Sequence, residues 1–539
     1  MPQPLLSVVI PVYNQADVIV RNLEVIEERI EAGLGAPFEL IVVSDGSVDR
    51  TDERLLERRS ERVRVFHYDR NLGKGYALKL GSLQARGRWI GYIDADLDLD
   101  PASLPRFLRH AEARGLDIVV GSKRHPDSVV HYPRSRRVAS RLYQLLVRLL
   151  FRLDVRDTQV GLKVFRREVV DEVLPLLIVK RFAFDLELLA VSRSLGFSRI
   201  EEQPISLDYR FTGSGVGSLA VLRALVDTAA IFYRLRILRY YARKRDVLGR
   251  LGSERARSYA PHVTVLAPAG VSVASLDYDN VSLADPGAGL RAAVEGADGE
   301  LVAFVGSGAV LAGNWLSATV PFLARSDIAA VVTPRLAPST GSARARAAAA
   351  VQESRLGGGS LYYRFTPGNL RIVRDYPSDA ILFRRDAYLE LGADVPAHEL
   401  AARLSGRGGT VVYTPETVVV SAVPPLFLPH LRRLAVYGRG RGQALRRDGL
   451  RAARLSTLAV LALWLLVAAA PIVALARWPA GPWLAVAAVY GAAIALSALI
   501  ATLRFRSLRV GSLALLAFPL THAVYAVAFA RGLAAGAGR

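Results

Sequence analysis

At 539 residues the chain is too long for one hydrophobic core, and two or three domains are expected. It contains no cysteine, which excludes disulfides and thiolate metal sites. A formal net charge of +21 asks for an anionic partner: nucleic acid, lipid headgroups or phosphorylated substrates.

The N-terminus enters an apolar strand at residues 5–11 with no charged leader before it, so no signal peptide is read there and a cytoplasmic N-terminal part is expected. Short β-rich runs then alternate with helical stretches. Strands are predicted at 7–11, 38–44, 63–68 and 89–93, and helices at 16–32 and 75–85. This alternation predicts an α/β fold with a parallel, doubly wound sheet and a site at the C-terminal strand ends. Tyr13 and Asn14 follow the first strand, Asp45 and Ser47 the second, and Asp94 and Asp96 the fourth. The run Tyr92-Ile93-Asp94-Ala95-Asp96 ends a hydrophobic strand in two carboxylates one residue apart. Hard oxygen ligands of this kind suit Mg²⁺ or Mn²⁺ held against a diphosphate. Acidic pairs are also common in surface loops, so the neighbours decide.

Those neighbours are Ser7-Val8-Val9-Ile10-Pro11-Val12-Tyr13-Asn14, Val42-Val43-Ser44-Asp45-Gly46-Ser47 and Arg70-Asn71-Leu72-Gly73-Lys74-Gly75, with Asp94-Ala95-Asp96 after them. Over about residues 5–215 the series resembles family 2 inverting glycosyltransferases of the GT-A (Rossmann-like) fold. The resemblance implies that Pro11, Tyr13, Asn14, Asp45 and Ser47 hold the nucleoside, with Gly73 and Lys74 near the diphosphate. It makes Asp94 and Asp96 the metal-binding carboxylates. Turn chemistry is the competing account of these Asn, Asp and Gly positions. Three further segments, Val119-Val120-Gly121-Ser122-Lys123-Arg124-His125, Asp157-Thr158-Gln159-Val160-Gly161-Leu162-Lys163-Val164-Phe165 and Phe182-Ala183-Phe184-Asp185-Leu186-Glu187-Leu188-Leu189, look like the dolichyl-phosphate glucosyltransferase branch. Such enzymes move a sugar from UDP-glucose or GDP-mannose onto a polyprenyl phosphate. The resemblance implies that Lys123, Arg124, Arg136 and Ser140 grip the acceptor phosphate, and that Asp185 and Glu187 are the acidic pair closing the site. Lys123 stands where an arginine is more usual, and solvated surface arginine is the alternative for Arg136. Leu145, Leu146, Leu149, Leu150 and Phe151, broken by Arg148 and Arg152, suit an in-plane membrane helix.

Residues 216–260 read as an amphipathic membrane-surface helix followed by a polar linker. A second α/β unit at 261–423 looks like a degenerate copy of the first. Gly87-Arg88-Trp89-Ile90-Gly91-Tyr92-Ile93-Asp94-Ala95-Asp96 is echoed by Gly299-Glu300-Leu301-Val302-Ala303-Phe304-Val305-Gly306-Ser307-Gly308, so both aspartates become glycine. Gly73-Lys74-Gly75 is echoed by Gly287-Ala288-Gly289. Arg355-Leu356-Gly357-Gly358-Gly359-Ser360, Tyr363-Arg364-Phe365, Ala380-Ile381-Leu382-Phe383-Arg384-Arg385 and Tyr437-Gly438-Arg439-Gly440 resemble exopolysaccharide transferases of the succinoglycan type. A catalytically silent domain is expected, with metal-independent transfer as the alternative.

A basic segment at 424–455 precedes three apolar runs near 458–476, 483–503 and 510–529, each about long enough to span a bilayer. About three transmembrane helices in 456–539 are expected. The arginines around them place residues 1–455 in the cytoplasm and the C-terminus outside, at a bacterial inner membrane. Much of the positive charge then faces membrane lipids, and nucleic acid is not expected as a partner. The leading expectation is a nucleotide-sugar donor and a polyprenyl phosphate acceptor. Transfer to a lipid-linked saccharide in envelope or exopolysaccharide synthesis is the enzymatic alternative, and a non-catalytic membrane scaffold the alternative of another class.

Overall fold

The computed structural model describes residues 3–68, 71–130, 134–179, 183–207, 218–249, 251, 258–268, 276–287, 289–338, 341–449, 455–475 and 481–535. The chain divides into two compact units, Met1–Tyr259 with Asn369–Arg371, and Ala260–Gly368 with Ile372–Arg539.

The first unit is built on strands β1 (Leu6–Val12), β2 (Phe38–Asp45), β3 (Val63–Tyr68), β4 (Trp89–Tyr92), β5 (Ile118–Ser122), β6 (Lys163–Arg166) and β7 (Ile200–Pro204), in sheet order β3-β2-β1-β4-β6-β5-β7. Helix α1 (Ile19–Leu34) buries Ile19, Leu23, Ile26 and Ile30, a stripe at helical spacing, in the same core as Leu6, Val8, Ile10, Leu40 and Val42. Helix α2 (Lys74–Gln84) is buried from Gly75 onward. Its Gly81 lets it press onto the sheet, since a Cβ there would lie 2.4 Å from Val9 Cγ1.

The sheet is mixed, which corrects the all-parallel expectation. Strand β6 runs antiparallel between β4 and β5. A parallel strand would have to start at the opposite edge. This one starts at the edge where β1, β2 and β4 end, so the segment leading into it lies across the carboxylate site.

The second unit holds a seven-stranded sheet. Strands β8 (Val263–Leu266), β9 (Val281–Ala284), β10 (Leu301–Val305), β11 (Ile328–Val332), β12 (Ala380–Arg384) and β13 (Thr410–Tyr413) run in order β9-β8-β10-β12-β11-β13, with Arg371–Val373 at the edge. This is the strand order of the first unit without β3, and β12 is antiparallel to both neighbours as β6 is. The detail repeats as well. Gly87 N–H donates to Ser7 Oγ at 2.7 Å, and Gly299 N–H donates to Thr264 Oγ1 at 2.9 Å. Ser7 faces Ile90, and Thr264 faces Val302, in the same register. Ala288, in the weaker echo, lies outside the described residues, as do 252–257 of the linker.

Four helices close the second unit: α3 (Leu428–Asp448), α4 (Leu455–Leu475), α5 (Gly481–Phe505) and α6 (Leu508–Ala534). Among the described residues, α5 and α6 are long and apolar enough to cross a membrane. They differ in surroundings: 17% of the apolar window of α5 is buried against 50% for α6. The cover on α6 is partly the basic helix α3. Gly438 and Gly442 of α3, and Gly532 of α6, let the backbones approach so closely that a Cβ at any of them would meet the other helix. His430 reaches Thr521 Oγ1 at 3.2 Å, and Arg446 donates to Ala535 O at 3.0 Å, so the two helices run parallel. A basic helix level with the end of α6 argues against that end lying on the far side of a membrane. The arginines at 451 and 454 and the loop at 477–480 lie outside the described residues.

Candidate active site

The loop after β1 and the loop after β2 are tied together before any ligand arrives. Asn14, held at φ 52°, donates its N–H to Ser47 Oγ at 3.1 Å and accepts from Val48 N–H at 2.9 Å. Ser47 Oγ in turn lies 2.9 Å from Ser44 Oγ. Tyr13 stands exposed beside them. Asp45, buried at the end of β2, accepts from Tyr68 O–H at 2.9 Å, Leu72 N–H at 2.7 Å and Gly73 N–H at 3.0 Å. Its main visible work is to fix the turn into α2, where Gly73 sits at φ 103° and Lys74 begins the helix. A nucleobase N–H at Asp45 would share a carboxylate already engaged. Arg70 of the same motif lies outside the described residues.

That turn aims Lys74 at Asp94, and Nζ pairs with Oδ1. Burial alone would lower the Lys74 ammonium, but Asp94, then Asp185 and Asp96, hold it above its ordinary value. Asp96 keeps one edge in solvent. Withdrawal of its carboxyl from water, then the charge of Asp94, pushes it up to about 6, against the Asp98 N–H and Lys74. A cleft of about 140 Å³ opens here, lined by Asp94, Asp96, Lys123, Gln159 and Gly161 among others.

The segment before β6 closes over Asp94 from the other side. A Cβ on Gly161 would lie 2.1 Å from Asp94 Oδ2. Asp157 accepts from Gln159 N–H at 3.2 Å, a local cap that shapes this loop and leaves the Gln159 side chain facing the cleft. Behind it Lys163, fully buried, donates to Asp185 Oδ1 at 2.7 Å.

Residues 7–174 match the model of the family described as Glycosyl transferase family 2. The first unit carries a family 2 glycosyltransferase domain. Over 202 residues the chain is 38% identical to Glycosyltransferase AglD of Haloferax volcanii, covering 37% of this chain and 32% of that protein. It is 34% identical over 209 residues to a dolichyl-phosphate beta-glucosyltransferase of Drosophila melanogaster, covering 36% of this chain and 64% of that one. A dodecaprenyl-phosphate galacturonate synthase of Rhizobium johnstonii is 27% identical over 254 residues, covering 46% and 71%. The chain thus spans about a third of the first relative and under two thirds of the second.

Within this glycosyltransferase domain the site gathers Lys74, Asp94, Asp96, Lys123 and Asp185. Arg124 follows Lys123 beyond β5, its N–H on Ser122 Oγ at 3.3 Å. The side chains of Arg136 and Ser140 lie outside the described residues, although helix α7 (Arg134–Phe151) carries both. That helix leaves Leu145 and Leu149 exposed, with Val147 and Phe151 buried. Its Tyr143 O–H lies 2.9 Å from Thr228 Oγ1 on the helix Ser218–Phe232, which itself exposes Leu225 and Val226.

Glu187 is placed differently from its expected role. Its carboxylate is fully buried and accepts from Ile178 N–H at 2.9 Å, Val179 N–H at 2.8 Å, Arg234 at 3.2 Å and Tyr241 O–H. It touches Arg234 and Tyr241 directly although they lie far along the chain, so it anchors the 234–241 segment and does not line the cleft. Glu187→Ala is expected to cost about 3–5 kcal/mol by leaving Arg234 without its partner, read as a lower unfolding midpoint. An unchanged midpoint would remove this anchoring role.

The residues present fit a divalent cation. Three carboxylates, Asp94, Asp96 and Asp98, line the cleft, and the Lys74 ammonium pairs with Asp94. Among the described residues no cluster of three or more Asp, Glu, His or Cys is formed. The remaining ligands would come from water and substrate phosphate, the usual arrangement for Mg²⁺.

Proposed function

We propose that this chain is a membrane-bound inverting glycosyltransferase that moves a sugar from a nucleotide-sugar, of UDP-glucose or GDP-mannose type, to a polyprenyl phosphate at the cytoplasmic membrane face. The observation carrying this reading is that Asp94 and Asp96 line one cleft with Lys123, at the sheet edge, where helix α7, which exposes leucines, touches the 157–162 loop through Gln144 and Thr158. The names of the dolichyl-phosphate and dodecaprenyl-phosphate relatives supply the acceptor class.

Asp94 and Asp96 would hold Mg²⁺ or Mn²⁺, which when bound neutralises charge on the departing diphosphate. Lys74 adds a second positive charge on the donor side. Asn14, Ser47 and the Asp45-fixed turn form a prearranged wall for the nucleoside. Lys123 and Arg124, with Arg136 and Ser140, serve the acceptor phosphate. That phosphate is already ionised at neutral pH, so it attacks the anomeric carbon without a strong general base, from the face opposite the nucleotide. The bond to the diphosphate breaks as the new sugar–phosphate bond forms. Asp185 acts through Lys163 and the electrostatics of Lys74. The exposed leucines of α7 give the lipid tail an apolar surface. The second unit, with its glycines at 306 and 308, is proposed as a degenerate GT-A copy without metal-dependent activity, and α4 and α5 as the membrane anchor, with α6 lying against the basic helix α3.

Labelled nucleotide-sugars, incubated with the solubilised protein, polyprenyl phosphate and Mn²⁺, should give label in the lipid phase that EDTA abolishes. Donor hydrolysis without a lipid product would move the acceptor to a lipid-linked saccharide. Because Asp96 must lose its proton to accept a cation, Mn²⁺ affinity should be level above pH 6 and fall about tenfold per unit below it. Titration of Mn²⁺ binding between pH 4.5 and 8 reads this directly, and a flat profile would contradict it.

A further inference from the structure

The alignment of the two sheets places an unexpected exchange at the carboxylate position. In the first unit Tyr92 pairs with Lys163, so Asp94 lies opposite Gly161. In the second Phe304 pairs with Ile381, so Gly306 lies opposite Asp379. The carboxylate has moved to the facing strand, and the glycine has moved the other way. Gly306 N–H donates to Asp379 O at 2.7 Å, which closes the backbone where the first unit opens its cleft.

What surrounds the carboxylate has changed sign as well. Asp379 has no lysine–aspartate set beside it but three arginines. Arg335 Nε stands 2.9 Å from Oδ2, Arg433 Nη2 3.4 Å and Arg364 Nη2 3.6 Å from Oδ1. Three guanidinium charges meet one carboxylate. Arg335 is nine-tenths buried, and its Nη2 donates to Ala422 O at 2.6 Å. Arg335 Nε and Asp379 Oδ2 meet each other off the line of a good hydrogen bond, and Arg364 Nε is buried without a hydrogen-bond partner. Arg433 is half exposed on α3, which leaves the cluster a face toward solvent. Burial, and repulsion from Arg433 and Arg364, bring the Arg335 guanidinium down to about 10 against the pull of Asp379. An excess of buried like charge with donors to spare is costly unless an anion completes it.

We infer that the Arg335–Arg364–Arg433 cluster around Asp379 is an anion site in the second unit that takes a phosphate or diphosphate group directly, without a metal ion. Guanidinium forks match phosphate oxygens in geometry as well as charge, so no cation is needed to bridge them. The unit thus keeps the phosphate-binding edge of its sheet and reverses the means. The group could be carried by a prenyl phosphate or by a nucleoside diphosphate, and the site is independent of whether the first unit transfers sugar.

The test uses the full chain in detergent carrying Asp94→Asn with Asp96→Asn, so that the first unit's carboxylates are silent, in EDTA throughout. Equilibrium dialysis with labelled UDP, geranyl phosphate and inorganic phosphate, each against its phosphate-free counterpart where one exists, identifies the source. Of the binding that Arg433→Gln weakens, geranyl phosphate alone assigns a lipid phosphate, UDP alone a nucleotide, and all three a general phosphate site. Arg364→Gln with Arg433→Gln should weaken the binding at least tenfold, and Asp379→Asn should strengthen it by removing the competing charge. Should the double arginine variant fail to fold, Arg433→Gln alone, at an exposed side chain, and Asp379→Asn carry the comparison. No EDTA-resistant binding of any probe, or binding indifferent to Arg433 and Asp379, would overturn the site and leave the cluster a structural ion-pair network.

Discussion

Asp96→Asn should abolish sugar transfer, by about a thousandfold or more, and at the same time raise the unfolding temperature at pH 7.5. The loss follows because a single amide oxygen replaces one of the two carboxylates proposed to hold the cation, and the stabilisation of transition-state charge is lost with it. The gain follows from the same electrostatics. The folded protein holds the Asp96 carboxyl at about 6, above its unfolded value near 4. A carboxyl raised on folding binds its proton more tightly when folded. Its destabilising effect therefore grows as pH rises from about 4 through 6 and is complete above that. The amide never bears the charge, so the variant's advantage should be present at pH 7.5 and vanish by pH 4. Paired activity assays and thermal melts at those two pH values decide it. A variant that is inactive because it is less stable at pH 7.5 would remove Asp96 from the metal-binding role. Asp94 is the poorer probe, since its loss also strands Lys74.

Gly161→Ala should cost about a hundredfold or more in kcat/KM with little change in stability. The added methyl would sit 2.1 Å from Asp94 Oδ2 and 2.7 Å from its Cγ, distances no real contact tolerates. Either Asp94 turns away from the cleft or the 157–162 loop lifts off it, and both misplace a charged ligand by about an ångström, which is enough for such a loss. The position is only partly buried, so the fold has room to yield there. The expected signature is a raised Mn²⁺ requirement together with a near-normal melt. Normal kinetics and metal affinity in Gly161→Ala would mean that Asp94 works in another orientation from the one described.

Sequence alone carried the local layer. The apolar runs at 7–11 and 38–44 are strands because β-branched residues crowd them, and the 19/23/26/30 stripe is a helix because it recurs every three to four residues. Spacing along single strands also placed Asp45, Asp94 and Asp96 at one sheet edge, since a parallel arrangement brings successive strand ends together. Gly87 and Gly299, which the sequence echo aligns, are each pressed against a neighbouring strand where a Cβ would clash.

Pairings between distant segments were not readable. Gly161 over Asp94 depends on β6 entering antiparallel, and no periodicity in residues 157–166 records strand direction. Only the family resemblance makes Glu187 a site acid beside Asp185. On a helix, residues two apart point to different sides, so one carboxylate meets Lys163 while the other meets Arg234 and Tyr241 some fifty residues onward. The arginines around Asp379 come from three elements spread over about a hundred residues, each in an arginine-rich chain where no single one stands out. The sequence by itself determined which chemistry is present and at which end of the sheet it collects. Only the tertiary structure decided which charges face one another, because charge pairing is set by distance in space, and a linear chain fixes that distance only between near neighbours.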